Sequence, residues 1–193
     1  MNVSKICEVL ENGGLVVTPT DTVYGIMGDA LNLEAVKKVY EAKHRAYNKP
    51  LILLMDSYEM IKEYTLDISE EEDRIMREFF PGLLTIILKK NNKIDDLISG
   101  GMDTVGIRIP GNEDLIRIIK KLGRPIFSTS ANISDEEVIT SIDKLDRRLL
   151  KYIDYVEDGG EIVAASSTIV KVDNKEMKIL RSGILADKVL NIK

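Results

Sequence analysis

Apolar residues alternate along the chain between a helical spacing and short uninterrupted runs, and this alternation continues into the C-terminal part. Ile6, Val9 and Leu10 share one helical face, and Gly13-Gly14 ends that helix before a short buried strand at residues 15–17. Asn32 is placed to cap a second helix whose Leu33, Val36, Val39 and Tyr40 form an apolar stripe. Residues 51–55 read as a buried strand. Ser69 and Glu72 make a capping-box pattern ahead of Ile75, Met76, Phe79 and Phe80, and Pro81-Gly82 stops that helix before a strand at 84–88. Asn112 caps a further helix with Leu115, Ile118, Ile119 and Leu122 inward and Gly123 at its end, and strands are expected near 153–156, 168–172 and 177–180. With no linker, repeat or low-complexity segment, the pattern predicts one mixed α/β domain over residues 1–193. The acidic run Glu70–Asp73 is explained by the favourable placement of carboxylates at a helix N-terminus.

Composition narrows the chemistry. Hydrophobic residues at 44% and charged residues at 31% suit a chain that buries a substantial core. A net charge of -5 argues against a generic nucleic-acid coat or a membrane-surface protein, while leaving room for a local basic pocket. The chain has one cysteine, Cys7, and one histidine, His44. An internal disulfide framework is impossible, a Cys/His zinc site lacks ligands, and a nucleophilic triad would rest on His44. The amphipathic start does not read as a signal peptide. The longest uncharged apolar stretch, 79–88, contains Pro81-Gly82 and is too short to span a bilayer, so a cytoplasmic protein without membrane association is expected.

Polar chemistry collects in five segments beside hydrophobic strands. The first is Thr18-Pro19-Thr20-Asp21-Thr22-Val23-Tyr24-Gly25, whose threonines share one side if the backbone is extended. The second, Lys43-His44-Arg45-Ala46-Tyr47-Asn48-Lys49-Pro50, groups cations able to clamp a polyphosphate, or simply to favour a helix C-terminus. In the third, Asp103–Pro110, Val105, Ile107 and Ile109 take one face, while Thr104 and Arg108 flank Gly106 on the other. That arrangement fits either a ligand close to the backbone or a salt-bridged edge arginine. The fourth, Ser128-Thr129-Ser130-Ala131-Asn132, follows a buried strand and lines Ser128, Ser130 and Asn132 on one face if extended. Such polar density at a strand end favours a site over turn chemistry. The fifth pairs Ser166-Ser167-Thr168 with Arg181-Ser182-Gly183. Neither a Walker-type phosphate loop nor a G-x-G-x-x-G motif occurs, and no carboxylate cluster suggests a metal cage. The residues therefore point to an α/β protein with a hydroxyl- and Arg/Lys-lined pocket for an anionic ligand such as a nucleotide.

Taken together and in order, these segments resemble the YrdC-like family, over about residues 3–185. The resemblance implies a single-domain form of that fold: a twisted mixed parallel/antiparallel sheet with flanking helices around a large concave cavity, without the additional C-terminal domain of some relatives. It implies an L-threonylcarbamoyladenylate synthase, a nucleotidyltransferase that joins L-threonine, bicarbonate (or CO2) and ATP into threonylcarbamoyl-AMP and releases pyrophosphate. A separate transferase complex would then move the threonylcarbamoyl group to the adenosine beside the anticodon of tRNAs reading ANN codons. Weak binding of tRNA or double-stranded RNA is part of the same expectation. By this resemblance Lys43, Arg45 and Lys49 engage the phosphates, Lys43 and Arg45 as catalytic groups, and Ser130, Asn132 and Arg181 help to hold ATP. Thr22, Arg108, Ser128 and Ser167 hold threonine, Arg108 facing its carboxylate, and Thr104 sits between the two groups on the ATP side. Mg²⁺ would arrive on the ATP phosphates, with no tightly bound organic cofactor. The chain departs from the family pattern at Leu54, near a common histidine, at 133–138, where a glycine-containing turn is usual, and at Ser166 and Ser182, where proline is common. Two competing readings are adenylation of a carbamoyl group from carbamoyl phosphate and a non-catalytic RNA-binding module, the latter weakened by 5% aromatic content and no Trp.

Overall fold

A computed structural model describes residues 1–163 and 165–191. In chain order its elements are α1 (Val3–Glu11), β1 (Val16–Thr18), β2 (Gly25–Asp29), α2 (Leu33–Ala42), β3 (Ile52–Leu54) and α3 (Tyr58–Tyr64). They continue with α4 (Glu70–Phe79), β4 (Leu84–Lys89), α5 (Asp96–Ser99), β5 (Thr104–Arg108), α6 (Glu113–Leu122) and β6 (Ile126–Ser130). The last are α7 (Arg147–Leu150), β7 (Tyr155–Val156), β8 (Thr168–Asp173), β9 (Glu176–Arg181) and α8 (Ala186–Leu190). All nine strands join one mixed sheet in the order β7-β1-β2-β6-β3-β5-β4-β8-β9. The β7–β1, β3–β5 and β4–β8 pairs are parallel and the other five antiparallel.

The local signals that define the helices act as their chemistry requires. Asn32 accepts from the amides of Glu34 and Ala35, and Asn112 from those of Asp114 and Leu115. Ser69 and Glu72 close a reciprocal capping box. Gly123 ends α6 in the left-handed region at φ 66°, where a side chain would be strained. The stripes of α1 and α6 face one another, so that Ile6, Leu10, Leu115, Ile118 and Ile119 are all fully buried. One stripe is narrower than its sequence implies: Leu33, in the first turn of α2, is 38% exposed, and Ala35 and Ala42 help to fill the buried face.

One face of the sheet's centre is closed by a row of apolar side chains, and the other carries the polar groups described below. Ile26, Leu53, Phe127, Ile107 and Ile86, on five successive neighbours, are each 0% exposed. A rigid centre leaves the strand ends to carry polar groups without losing their positions.

Candidate functional site

A pocket of about 290 Å³ opens across seven successive strands, from β2 to β9. Its polar wall comes from Thr20 and Thr22 before β2, Ser128, Thr129 and Ser130 at the end of β6, Arg108 at the end of β5 and Thr85 on β4. Ser166 and Ser167 before β8 and Arg181 at the end of β9 complete that wall. The apolar part includes Val23, Pro50, Ile52, Leu54 and Val138. Gly25, paired with Ser130 across β2 and β6, gives the pocket its depth. A Cβ there would come within 3.2 Å of both the Ser128 hydroxyl and the Thr20 methyl.

Arg108 is the most confined charge in this wall. Its Nε donates to the Gly82 carbonyl at 2.7 Å, on the turn after the cis Phe80–Pro81 bond, and Asp21 Oδ2 lies 2.6 Å from its NH2. That contact is close but poorly aligned. Arg108 NH2 and Asp21 Oδ1 are both buried without a hydrogen-bond partner. Desolvation lowers the guanidinium pKa despite the opposing effect of Asp21. A buried cation with an unfilled donor, ringed by hydroxyls, is chemically matched to an oxyanion.

On the β9 side, Arg181 clasps Ser167. Its Nε donates to the Ser167 carbonyl at 3.1 Å and its NH2 to the Ser167 hydroxyl at 2.7 Å, while burial lowers its pKa. On the opposite side, Arg45 is half-buried and donates to the carbonyls of Lys49 and Pro50 at 3.2 and 2.8 Å. It too is lowered by burial. Thr20 holds the approach to β2 in shape, its hydroxyl lying 2.8 Å from that of Thr22 and donating to the Val23 carbonyl at 2.6 Å.

The structure brings together all four residues of the expected threonine side: Thr22, Arg108, Ser128 and Ser167 all line the pocket. Of the expected nucleotide side, Arg45, Ser130 and Arg181 line it, whereas Lys43, Lys49, Thr104 and Asn132 lie outside its wall. Lys43 is 1% exposed, and its ammonium donates to the carbonyls of Ser130 and Asn132 and to the Asn132 side-chain oxygen at 3.2 Å. Burial, with the Arg45 charge second, brings its pKa down to about 7. Lys49 is exposed and paired with Asp135 at 2.9 Å. Asn132 lies beyond the end of β6 rather than in an extended row with Ser128 and Ser130. Its amide donates to the Glu136 carbonyl at 2.6 Å, within an adjoining hollow formed with 133–139. Thr104 begins β5, at the opposite end of that strand from Arg108. His44 is an exposed residue at positive φ.

Sequence reasoning passed over Thr85, Asp21 as the partner of Arg108, and Gly25 as the pocket floor. Thr85 had a signal: a hydroxyl inside the otherwise apolar run Leu84–Leu88.

Fold and site define an α/β protein with an arginine- and hydroxyl-lined pocket laid across a mixed sheet. The chain belongs to the Sua5/YciO/YrdC family, whose model, described as telomere recombination, matches residues 8–183. It is 40% identical over 186 residues to a putative threonylcarbamoyl-AMP synthase of Methanocaldococcus jannaschii, covering 94% of this chain and 87% of that one. It is 36% identical over 175 residues to the threonylcarbamoyl-AMP synthase of Pyrococcus abyssi, covering 90% of this chain and 52% of the relative. The crystal structure of P. abyssi Sua5 complexed with L-threonine superposes with a TM-score of 0.90 at 34% identity, covering 98% of this chain and 57% of that one. The chain therefore spans little more than half the length of the Pyrococcus protein.

Proposed function

We propose that the protein is an L-threonylcarbamoyladenylate synthase that makes threonylcarbamoyl-AMP and pyrophosphate from L-threonine, bicarbonate or CO2, and ATP. The observation that carries this reading is the buried Arg108, with an unfilled donor, in a pocket shared with Thr22, Ser128 and Ser167. That set suits a small hydroxy amino acid bound through its carboxylate. The names of the Methanocaldococcus and Pyrococcus relatives support the same reading.

The chemistry follows from positioning and charge. The threonine amine adds to the carbon of CO2 and gives up a proton, forming a carbamate. A carbamate oxygen then attacks the α-phosphorus of ATP, the bond from that phosphorus to the bridging oxygen breaks, and pyrophosphate leaves. Negative charge grows on phosphate oxygens, where Arg45 and Arg181 supply fixed positive groups; the Ser130 hydroxyl donates to Asn132 Oδ1 at 2.5 Å and would exchange that partner to reach phosphate. A pocket of about 290 Å³ is small for an amino acid and a nucleotide together, so the nucleotide extends through the mouth toward the 43–49 segment. There Lys49 would exchange Asp135 for phosphate, and Thr104 and Asn132 are assigned to the nucleotide side with it. Lys43 fixes the 130–134 turn and reaches phosphate if that turn opens.

Among the described residues, no group of three or more His, Cys, Asp or Glu side chains is placed to hold a metal, and Asp21 is committed to Arg108. In this reading Mg²⁺ arrives on the ATP phosphates, completed by water, where it would neutralise phosphate charge. No helix among the described residues is long and apolar enough to cross a membrane. A reaction that uses ATP and feeds tRNA modification is assigned to the cytoplasm as part of the same proposal. The product, a mixed anhydride, would pass to a threonylcarbamoyl transferase complex acting on tRNA.

Substrate omission tests the reading. Pyrophosphate release should require ATP, L-threonine and bicarbonate together. Release that continues without threonine, or that is restored by carbamoyl phosphate in place of threonine and bicarbonate, would overturn it.

A further inference from the structure

The Ser167 hydroxyl has two neighbours: Arg181 NH2 at 2.7 Å and the Thr85 hydroxyl at 3.0 Å. Arg181 can only donate. Thr85 is 0% exposed, in the middle of a sheet, and Ser167 is the sole hydrogen-bond partner of its hydroxyl among the described residues. The 3.0 Å contact suits either hydroxyl as donor; with Thr85 donating, its proton is satisfied inside the sheet and the proton left over is that of Ser167, which is 2% exposed at the pocket wall. Both lone pairs of Ser167 are then filled, one by a guanidinium and one by a threonine. Its own proton has no acceptor within this cluster, and Ser167 lines the pocket.

We infer that Thr85 is a positioning residue which, with Arg181, holds Ser167 as a fixed hydrogen-bond donor to an oxygen of the amino-acid substrate. This rests on the proposed threonine-binding role of the pocket and adds to it the polarity of one contact. A serine held in this way offers an acceptor group of the ligand a donor that needs no reorientation. It offers nothing to a ligand N–H. Thr85 is held by the sheet itself, since β4 pairs with β8 beside it through Thr85 and Ile169. The relay therefore ties pocket polarity to the rigid part of the fold.

A double-mutant cycle reads this coupling. Calorimetric titration of L-threonine and steady-state turnover would be measured for wild type, Thr85→Val, Ser167→Ala and the double variant, with Thr85→Ser as the conservative control. Thr85→Val keeps the shape and removes the hydroxyl. It should weaken threonine binding by about three- to tenfold, the scale of one hydrogen bond, and raise the threonine KM while leaving kcat nearly unchanged. Thr85→Ser should restore binding. In the Ser167→Ala background, Thr85→Val should have no further effect. Equal losses in both backgrounds, no loss in wild type, or failure of Thr85→Ser to rescue would overturn the inference. If wild type itself binds no threonine, the proposed function falls first; if wild type binds and Thr85→Val binds equally well, only the relay falls.

Discussion

Arg108 and Lys43 are both buried cations on or near the pocket, and their surroundings give them opposite prospects. Arg108 has an anionic neighbour and an unfilled donor. Lys43 has three oxygens, all within the protein, and no anion among them. Arg108→Ala should abolish threonine binding. It should also lower stability by about 3 kcal/mol in urea unfolding, because Asp21 is left as an uncompensated, largely buried charge. Adding Asp21→Asn should recover much of the stability and none of the binding; recovery of binding would place the carboxylate elsewhere. Lys43 has a pH signature. Its folded pKa is lowered to about 7 from 10.5. Between those values the unfolded chain binds more protons, so the Lys43 contribution to stability rises with pH across this window and its penalty is complete below pH 7. Urea midpoints followed from pH 6 to pH 9 should therefore climb in wild type relative to Lys43→Met, and parallel profiles would show that burial does not shift this lysine. At this scale the sequence marked residues of which several line one pocket, but not where each side chain points. Lys43 and Arg45 sit two positions apart just beyond the end of α2 at Ala42, and His44 between them, at positive φ, turns the chain so that one points inward and the other to the pocket.

Elements meet at this site through close backbone approach as much as through side chains. The turn after β9 lies against the segment before β8 at Gly183. A Cβ there would come within 2.4–2.6 Å of the Ser166 carbonyl oxygen and the Ser167 carbonyl group. Because those atoms are backbone, the turn must move, and Ser167 and Arg181 move with it. Gly183→Ala should therefore weaken threonine binding and lower the melting temperature together, measured by calorimetry and thermal unfolding; an unchanged affinity would separate the turn from the pocket. Helices with strong caps and stripes, such as α4 and α6, were legible in the sequence because their signals are local. Strand β2 was not. Its Gly25 and Gly28 remove the β-branched signature, and both are required by tertiary neighbours: Ser128 and Thr20 at one, the Phe127 ring at the other. The short helices α3, α5, α7 and α8 likewise have too few turns to write a period.

Across the molecule, a net charge of -5 coexists with a pocket whose charged lining residues are Arg45, Arg108 and Arg181. Those residues lie 136 positions apart along the chain, from 45 to 181, and the sheet order brings them together. Composition could exclude an internal disulfide framework and a Cys/His zinc site and leave a triad resting on His44 alone, but the meeting of three arginines with the hydroxyl segments depends on long-range strand pairing that no local pattern encodes. The same arrangement predicts a reaction driven by placement of three substrates. The most direct measurement is mass spectrometry of the product formed from ATP, L-threonine and carbon-13-labelled bicarbonate with Mg²⁺. The account predicts threonylcarbamoyl-AMP carrying the label, with one pyrophosphate per adenylate. An adenylate without the label, or no adenylate from a protein that binds threonine, would contradict it.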